Sequence, residues 1–114
     1  MVDIESKRLQ LRELNVADVT ESYVSWLNNP EINQYLESRF FKHEFKDVKR
    51  FVEEINNDKY NILLGIFIKK SMKHIGNIKI GPINLHHKTA YIGLLIGDNS
   101  EWHNGYATES IQAV

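Results

Sequence analysis

The sequence predicts an α+β domain, a mixed α/β layout of one sheet covered by helices. Three observations carry this. A period-two stretch opens the chain, 3.6-periodic segments follow it, and three apolar β-branched runs come together before a last helical segment. The 114 residues suit one compact domain, taken here as 1–114, large enough to bury a core. Apolar residues make up 42% and charged residues 25%, an ordinary globular balance.

"RLQLREL" alternates, with Leu9 and Leu11 facing one way, joined by Ile4, while Arg8, Gln10 and Arg12 face the other. This reads as a half-buried strand. Asn15 is a candidate helix cap with Asp18 three residues on. Val16, Val19, Tyr23, Trp26 and Leu27 then recur at helical spacing, and the helix should stop near Asn28, ahead of Pro30. Pro30 can open a second short helix edged by Ile32, Tyr35 and Leu36. "SRFFKHEF" reads as a loop. From Phe45, the residues Val48, Phe51, Val52 and Ile55 again fit a 3.6 period, ending at "NND".

Next come "YNILLGIFIKK", a strand buried on both faces, "MKHIGNIKIGPI", which alternates through Ile75, Ile78 and Ile80, and "TAYIGLLIGD". "NLHHK" turns the chain between the last two. From about Gly105 a helix places Ala107, Ile111 and Val114 on one face and shows no stop signal. A strand-to-helix turn normally leads to a further strand, so a missing C-terminal part is expected.

The net charge of −1 gives no electrostatic case for nucleic-acid binding. Without cysteine, disulfides, thiolate metal sites and a cysteine nucleophile are excluded. There is no signal-peptide core and no apolar run near 18 residues, so the expectation is a cytoplasmic protein with no membrane partner.

"EWHNGYATESI" puts small residues, Gly105 and Ala107, at the start of a helix, where free N–H groups and the positive dipole end favour an anion. Thr108 and Glu109 lie in the first turn, where they can cap it. A plain structural turn that needs a glycine fits the same residues.

The segment "TAYIGLLIGDNSEWHNGYATESI" resembles the acetyl-CoA-binding motif of the GNAT (GCN5-related N-acetyltransferase) superfamily. There the pattern is Gln/Arg-x-x-Gly-x-Gly/Ala after the fourth strand. Trp102 takes the first position, in place of Gln/Arg, Gly105 the fourth and Ala107 the sixth. Tryptophan followed by Gly-Tyr-Ala-Thr-Glu is typical of the RimJ/RimL-like branch, the ribosomal-protein N-acetyltransferases. "KRLQLRELNVADVTESYVSWLNNPEIN" and "HIGNIKIGPIN" resemble that branch's opening strand and helix and its third strand, so the resemblance spans essentially the whole chain.

The resemblance implies a GNAT fold, a mostly antiparallel sheet flanked by helices and lacking its C-terminal strands. It implies acetyl transfer from acetyl-CoA, the co-substrate, to a primary amine. Backbone N–H groups around His103, Asn104, Gly105, Tyr106 and Ala107 would hold the cofactor, with Thr108 beside them. A backbone N–H near Leu95 or Ile96 would face the thioester oxygen. His86 and His87, or Glu13, are candidates for the base that deprotonates the amine, although loop histidines are commonly just solvated. No metal is implied. Trp26, Tyr35, Phe40, Phe41 and Phe51 fit either core packing or an acceptor pocket. The acceptor would be a protein N-terminus or a small-molecule amine. Two segments resemble most the members that acetylate amino sugars, including nucleotide-linked ones. A truncated, non-catalytic remnant that binds CoA or mediates oligomerisation is the alternative, and an unpaired sheet edge would invite a homodimer.

Overall fold

The computed structural model describes residues 3–29, 44–97 and 104–114. The helix expected from Pro30, together with Tyr35, Phe40 and Phe41, lies outside them. Five strands form one antiparallel sheet in the order β1-β2-β3-β4-β5. They are β1 (Asp3–Glu5), β2 (Leu9–Glu13), β3 (Ile62–Ile68), β4 (Lys73–Ile80) and β5 (Ile92–Ile96). The helices are α1 (Glu21–Asn28), α2 (Phe45–Asn56) and α3 (Tyr106–Ala113).

The period-two reading of "RLQLREL" holds, since Leu9 and Leu11 have no exposed surface. Ile4 belongs to a separate short strand, β1, which pairs Ile4 with Leu11 across a tight turn at Ser6–Arg8. Three residues are too few to show a period, so this hairpin had no sequence signal.

The sheet has two covered faces. On one, Leu14, Val19, Tyr23, Trp26, Val48, Val52, Ile55, Leu63 and Phe67 join β2 and β3 to α1 and α2. On the other, Leu9, Leu11, Leu64, Ile66, Ile75 and Ile78 are buried, with Tyr106 and Ala113 of α3 packed against them. A central strand between two such layers has no polar face, and β3 is apolar along its whole length.

One helix expected over Val16–Leu27 is two elements. Asn15 caps as expected: its Oδ1 accepts the Ala17 N–H and Asp18 accepts the Asn15 N–H, each at 2.9 Å. The result is a single 3-10 turn, Val16–Asp18. Val19 then turns extended and buries its side chain, and Thr20 recaps the chain by accepting the Tyr23 N–H. Asp18 is diverted to a two-pronged bond with the Arg12 guanidinium, 2.9 Å at each prong.

In α2 the buried stripe is Val48, Val52 and Ile55, while Phe51 is 44% exposed and lies outside the core. In α3 the sheet-facing residues are Tyr106, Ser110 and Ala113. Ile111 and Val114 are exposed, so the expected Ala107–Ile111–Val114 face is not the packed one. Tyr106 packs against the Leu9–Leu11 side of the core, with the Arg8 guanidinium over its ring. Among the described residues no helix is long and apolar enough to cross a membrane.

Candidate functional site

The Gly105 turn is built by conformation rather than by a side-chain cap. Gly105 is the N-cap of α3 at φ 78°, ψ 10°, a left-handed conformation that side chains disfavour. Its carbonyl accepts the Glu109 N–H, which starts the helix. The N–H groups of Tyr106, Ala107 and Thr108 then have no intrahelical acceptor. Together with the dipole they give an electropositive helix end. Trp102 and His103 lie outside the described residues.

Glu109 does not cap α3. It reaches across to the β1–β2 turn, accepting hydrogen bonds from the Ser6 hydroxyl, the Arg8 N–H at 2.8 Å and the Arg8 Nε at 2.6 Å. Desolvation acts to raise its pKa, but the bonds from Ser6 and Arg8 outweigh it and carry the value down to about 2. Arg8 also donates Nη1 to the Asn104 carbonyl at 2.9 Å and lies 4.5 Å from the Tyr106 ring centre.

β5 precedes this turn in the chain and is the last strand in the order of the sheet. Gly97 N–H bonds Ile75 O and Gly81 N–H bonds Tyr91 O. Antiparallel alternation between these brackets gives the Leu95 amide to the β4 ladder and turns the Ile96 amide to the outer side. Gly97 lies flat on the Trp26 indole, where an added Cβ would overlap the ring.

Beside β5 is a polar pair that sequence reading missed. The pairing of β3 with β4 slips between Ile66 and Phe67, leaving Ile75 as an extra residue. The bulge puts His74 and Asn77, three apart, on the same face. His74 Nε2 lies 2.7 Å from Asn77 Oδ1. Its ring stacks on Phe67 with centres 4.9 Å apart and meets Trp26 and Tyr23 edge-on. Burial lowers the His74 pKa, against the Asn77 bond that raises it, and burial pushes Tyr23 up to about 12. Burial among these rings thus favours the neutral imidazole over the charged one.

This has a pH consequence. The unfolded chain takes up a proton near pH 6.5 that folded His74 resists, so stability is full above that pH and falls as pH drops through it. The melting temperature is expected to fall between pH 7 and 5, and His74→Gln to flatten that slope. Parallel slopes would contradict the assignment. Asp18 and Glu109, whose pKa values are also lowered, lose their contributions only in stronger acid.

The acetyltransferase (GNAT) domain family matches residues 8–114. The chain belongs to the GNAT acetyltransferase family. No curated protein sequence matches it. Among solved structures, a RimL ribosomal L7/L12 α-N-protein acetyltransferase in complex with coenzyme A is similar at TM-score 0.82 and 23% identity, over 98% of this chain and 64% of that one. A GNAT acetyltransferase from Bacillus anthracis gives 0.80 at 20% identity, over 98% and 63%. A spermidine N-acetyltransferase from Vibrio cholerae, in complex with CoA and spermine, gives 0.79 at 20%, over 93% and 60%. The chain therefore spans less than two thirds of these relatives. Their likeness establishes the fold, as expected.

Within this GNAT domain the site residues named from sequence do not all meet. Asn104 to Thr108 form the α3 end, with Leu95 and Ile96 on the strand leading to it. His86 and His87 sit in the β4–β5 loop, rings 4.9 Å apart and exposed, at the opposite end of β5. The five residues of β5 put roughly 16 Å of strand between that loop and the C-terminal end of β5. Glu13 ends β2, opposite Leu64 on β3, three strands from β5. Among the described residues no cluster of three His, Asp or Glu is placed to hold a metal.

Proposed function

We propose that this GNAT domain is an acetyl-CoA-dependent N-acetyltransferase of the RimJ/RimL-like branch, acting on a primary amine. The observation that carries the reading is Gly105 in the left-handed conformation at the N-terminus of α3, in a segment matched by the GNAT family. The amides of Gly105, Tyr106, Ala107 and Thr108, with those of His103 and Asn104 and the Trp102 position before them, would hold the pyrophosphate. A backbone N–H of β5 at Leu95 or Ile96 would be the donor facing the thioester oxygen.

In the transfer, the neutral amine nitrogen bonds to the thioester carbonyl carbon, the C–S bond breaks, and the thiolate leaves and takes up a proton. The amine must first lose its own proton. His86 and His87, exposed beside the start of β5, and Glu13, at the end of β2, are the candidates for that role. Among the similar structures one is a ribosomal L7/L12 α-N-protein acetyltransferase and another, a spermidine N-acetyltransferase, is bound to spermine. A protein N-terminus and an amino sugar, free or nucleotide-linked, are the acceptors to compare first.

The test is calorimetric titration with acetyl-CoA. Saturable one-to-one binding is expected, followed by acceptor-dependent thiol release with one amine class. Failure to bind, both in this chain and in a version extended to the length of the relatives, overturns the reading.

A further inference from the structure

We infer that Arg8 is a positioning residue of the cofactor turn, holding the Asn104–Gly105 peptide and the Glu109 carboxylate in the arrangement that an anion needs. The inference rests on the acetyl-CoA reading above and concerns a residue far outside its motif.

One guanidinium engages nearly the whole turn. Nε meets Glu109 at 2.6 Å, Nη1 meets the Asn104 carbonyl at 2.9 Å, and the carbon lies 4.5 Å from the Tyr106 ring centre. Nη2 lies 3.5 Å from where a Cβ on Gly105 would stand. Arg8 is 96 residues from Asn104 in the chain, so these contacts exist only because the β1–β2 turn is folded against α3.

Two consequences follow for a bound pyrophosphate. In a trans peptide the C=O and N–H point in opposite directions. Holding the Asn104 carbonyl toward Arg8 therefore turns the Gly105 N–H away from it, to the other side of the turn. Second, Glu109 is ionised and lies in the first turn of α3, where its charge would oppose an incoming anion. Arg8 and Ser6 together occupy that carboxylate and draw it toward the β1–β2 turn. The fork does what an ammonium cannot, because three groups in different directions are met by one rigid plane.

Two ligands separate this role from mere stabilisation: acetyl-CoA, and acetyl-pantetheine, which lacks the pyrophosphate. Titrations run well below the melting temperature of each variant. Arg8→Met is expected to raise the acetyl-CoA Kd on the order of tenfold and the acetyl-pantetheine Kd less than twofold. Arg8→Lys, which keeps the charge and loses the fork, should recover only part of the acetyl-CoA loss. Equal weakening of both ligands, or native-like acetyl-CoA binding in Arg8→Met, overturns the inference while the acetyl-CoA reading stands. No acetyl-CoA binding by the native protein overturns that reading and this inference with it. If Arg8→Met does not fold, Arg8→Lys against the native protein is read by the same outcomes.

Discussion

Gly76→Ala is expected to destabilise the domain by about 3 kcal/mol, lowering the melting temperature by roughly 12 °C. Gly76 pairs with Ile96, and an added Cβ would overlap the Leu95 carbonyl oxygen and stand 2.9 Å from Ile96 Cα. The obstacle is backbone, so no rotamer change relieves it. β5 would have to move away from β4, and the bond from Gly97 N–H to Ile75 O would be lost with it. The same displacement moves the Leu95–Ile96 backbone proposed to face the thioester, so cofactor affinity should fall along with stability. Gly93→Ala is the control. It lies on the same strand pair, nothing lies within 4 Å of its added Cβ, and a change within about 0.5 kcal/mol is expected. Thermal melts of the two variants check this. Equal melting temperatures would mean that the β4–β5 approach is not as tight as described.

Gly105→Val is expected to weaken acetyl-CoA binding at least about thirtyfold, the equivalent of about 2 kcal/mol. The native φ of 78° is closed to a β-branched residue, whereas an added Cβ meets Arg8 Nη2 at an ordinary 3.5 Å. The cost is therefore conformational rather than steric. Relaxing the strain rotates the peptides on either side of Gly105 and swings the first-turn amides of α3 out of line. Gly105→Asn tests this cause, because asparagine tolerates the left-handed region. Calorimetry should rank affinities glycine, asparagine, valine. Equal affinity of the asparagine and valine variants would remove backbone conformation as the explanation.

The local elements were legible. The alternation of Leu9 and Leu11 found β2, the spacing of Val48, Val52 and Ile55 found α2, and three apolar runs found β3 to β5. Gly105 and Ala107 marked the start of α3 by composition, and the match to a GNAT family upheld the resemblance they suggested. Signals of this kind are written within four or five residues, so sequence displays them directly. Competition between neighbouring signals was not legible. Asn15 and Thr20 are both good caps, and only the burial of Val19 between them decides that the helix starts at Glu21. Similarly, a 3.6 period admits Phe51 to the core face of α2, yet the sheet reaches only the Val48–Val52–Ile55 stripe.

By itself, the sequence determined an α+β chain with a strand-to-helix glycine turn of GNAT type, because period, capping and turn chemistry are short-range. Only the tertiary structure decided what surrounds that turn. The bulge that brings His74 to Asn77 depends on how β4 pairs with β3, and the pairing is not contained in either strand. The bond between Arg8 and Glu109 joins residues 101 apart. Each is an ordinary charged side chain in its own segment. What selects them as partners is that α3 packs beside the β1–β2 turn, a fact that exists only once the sheet has formed.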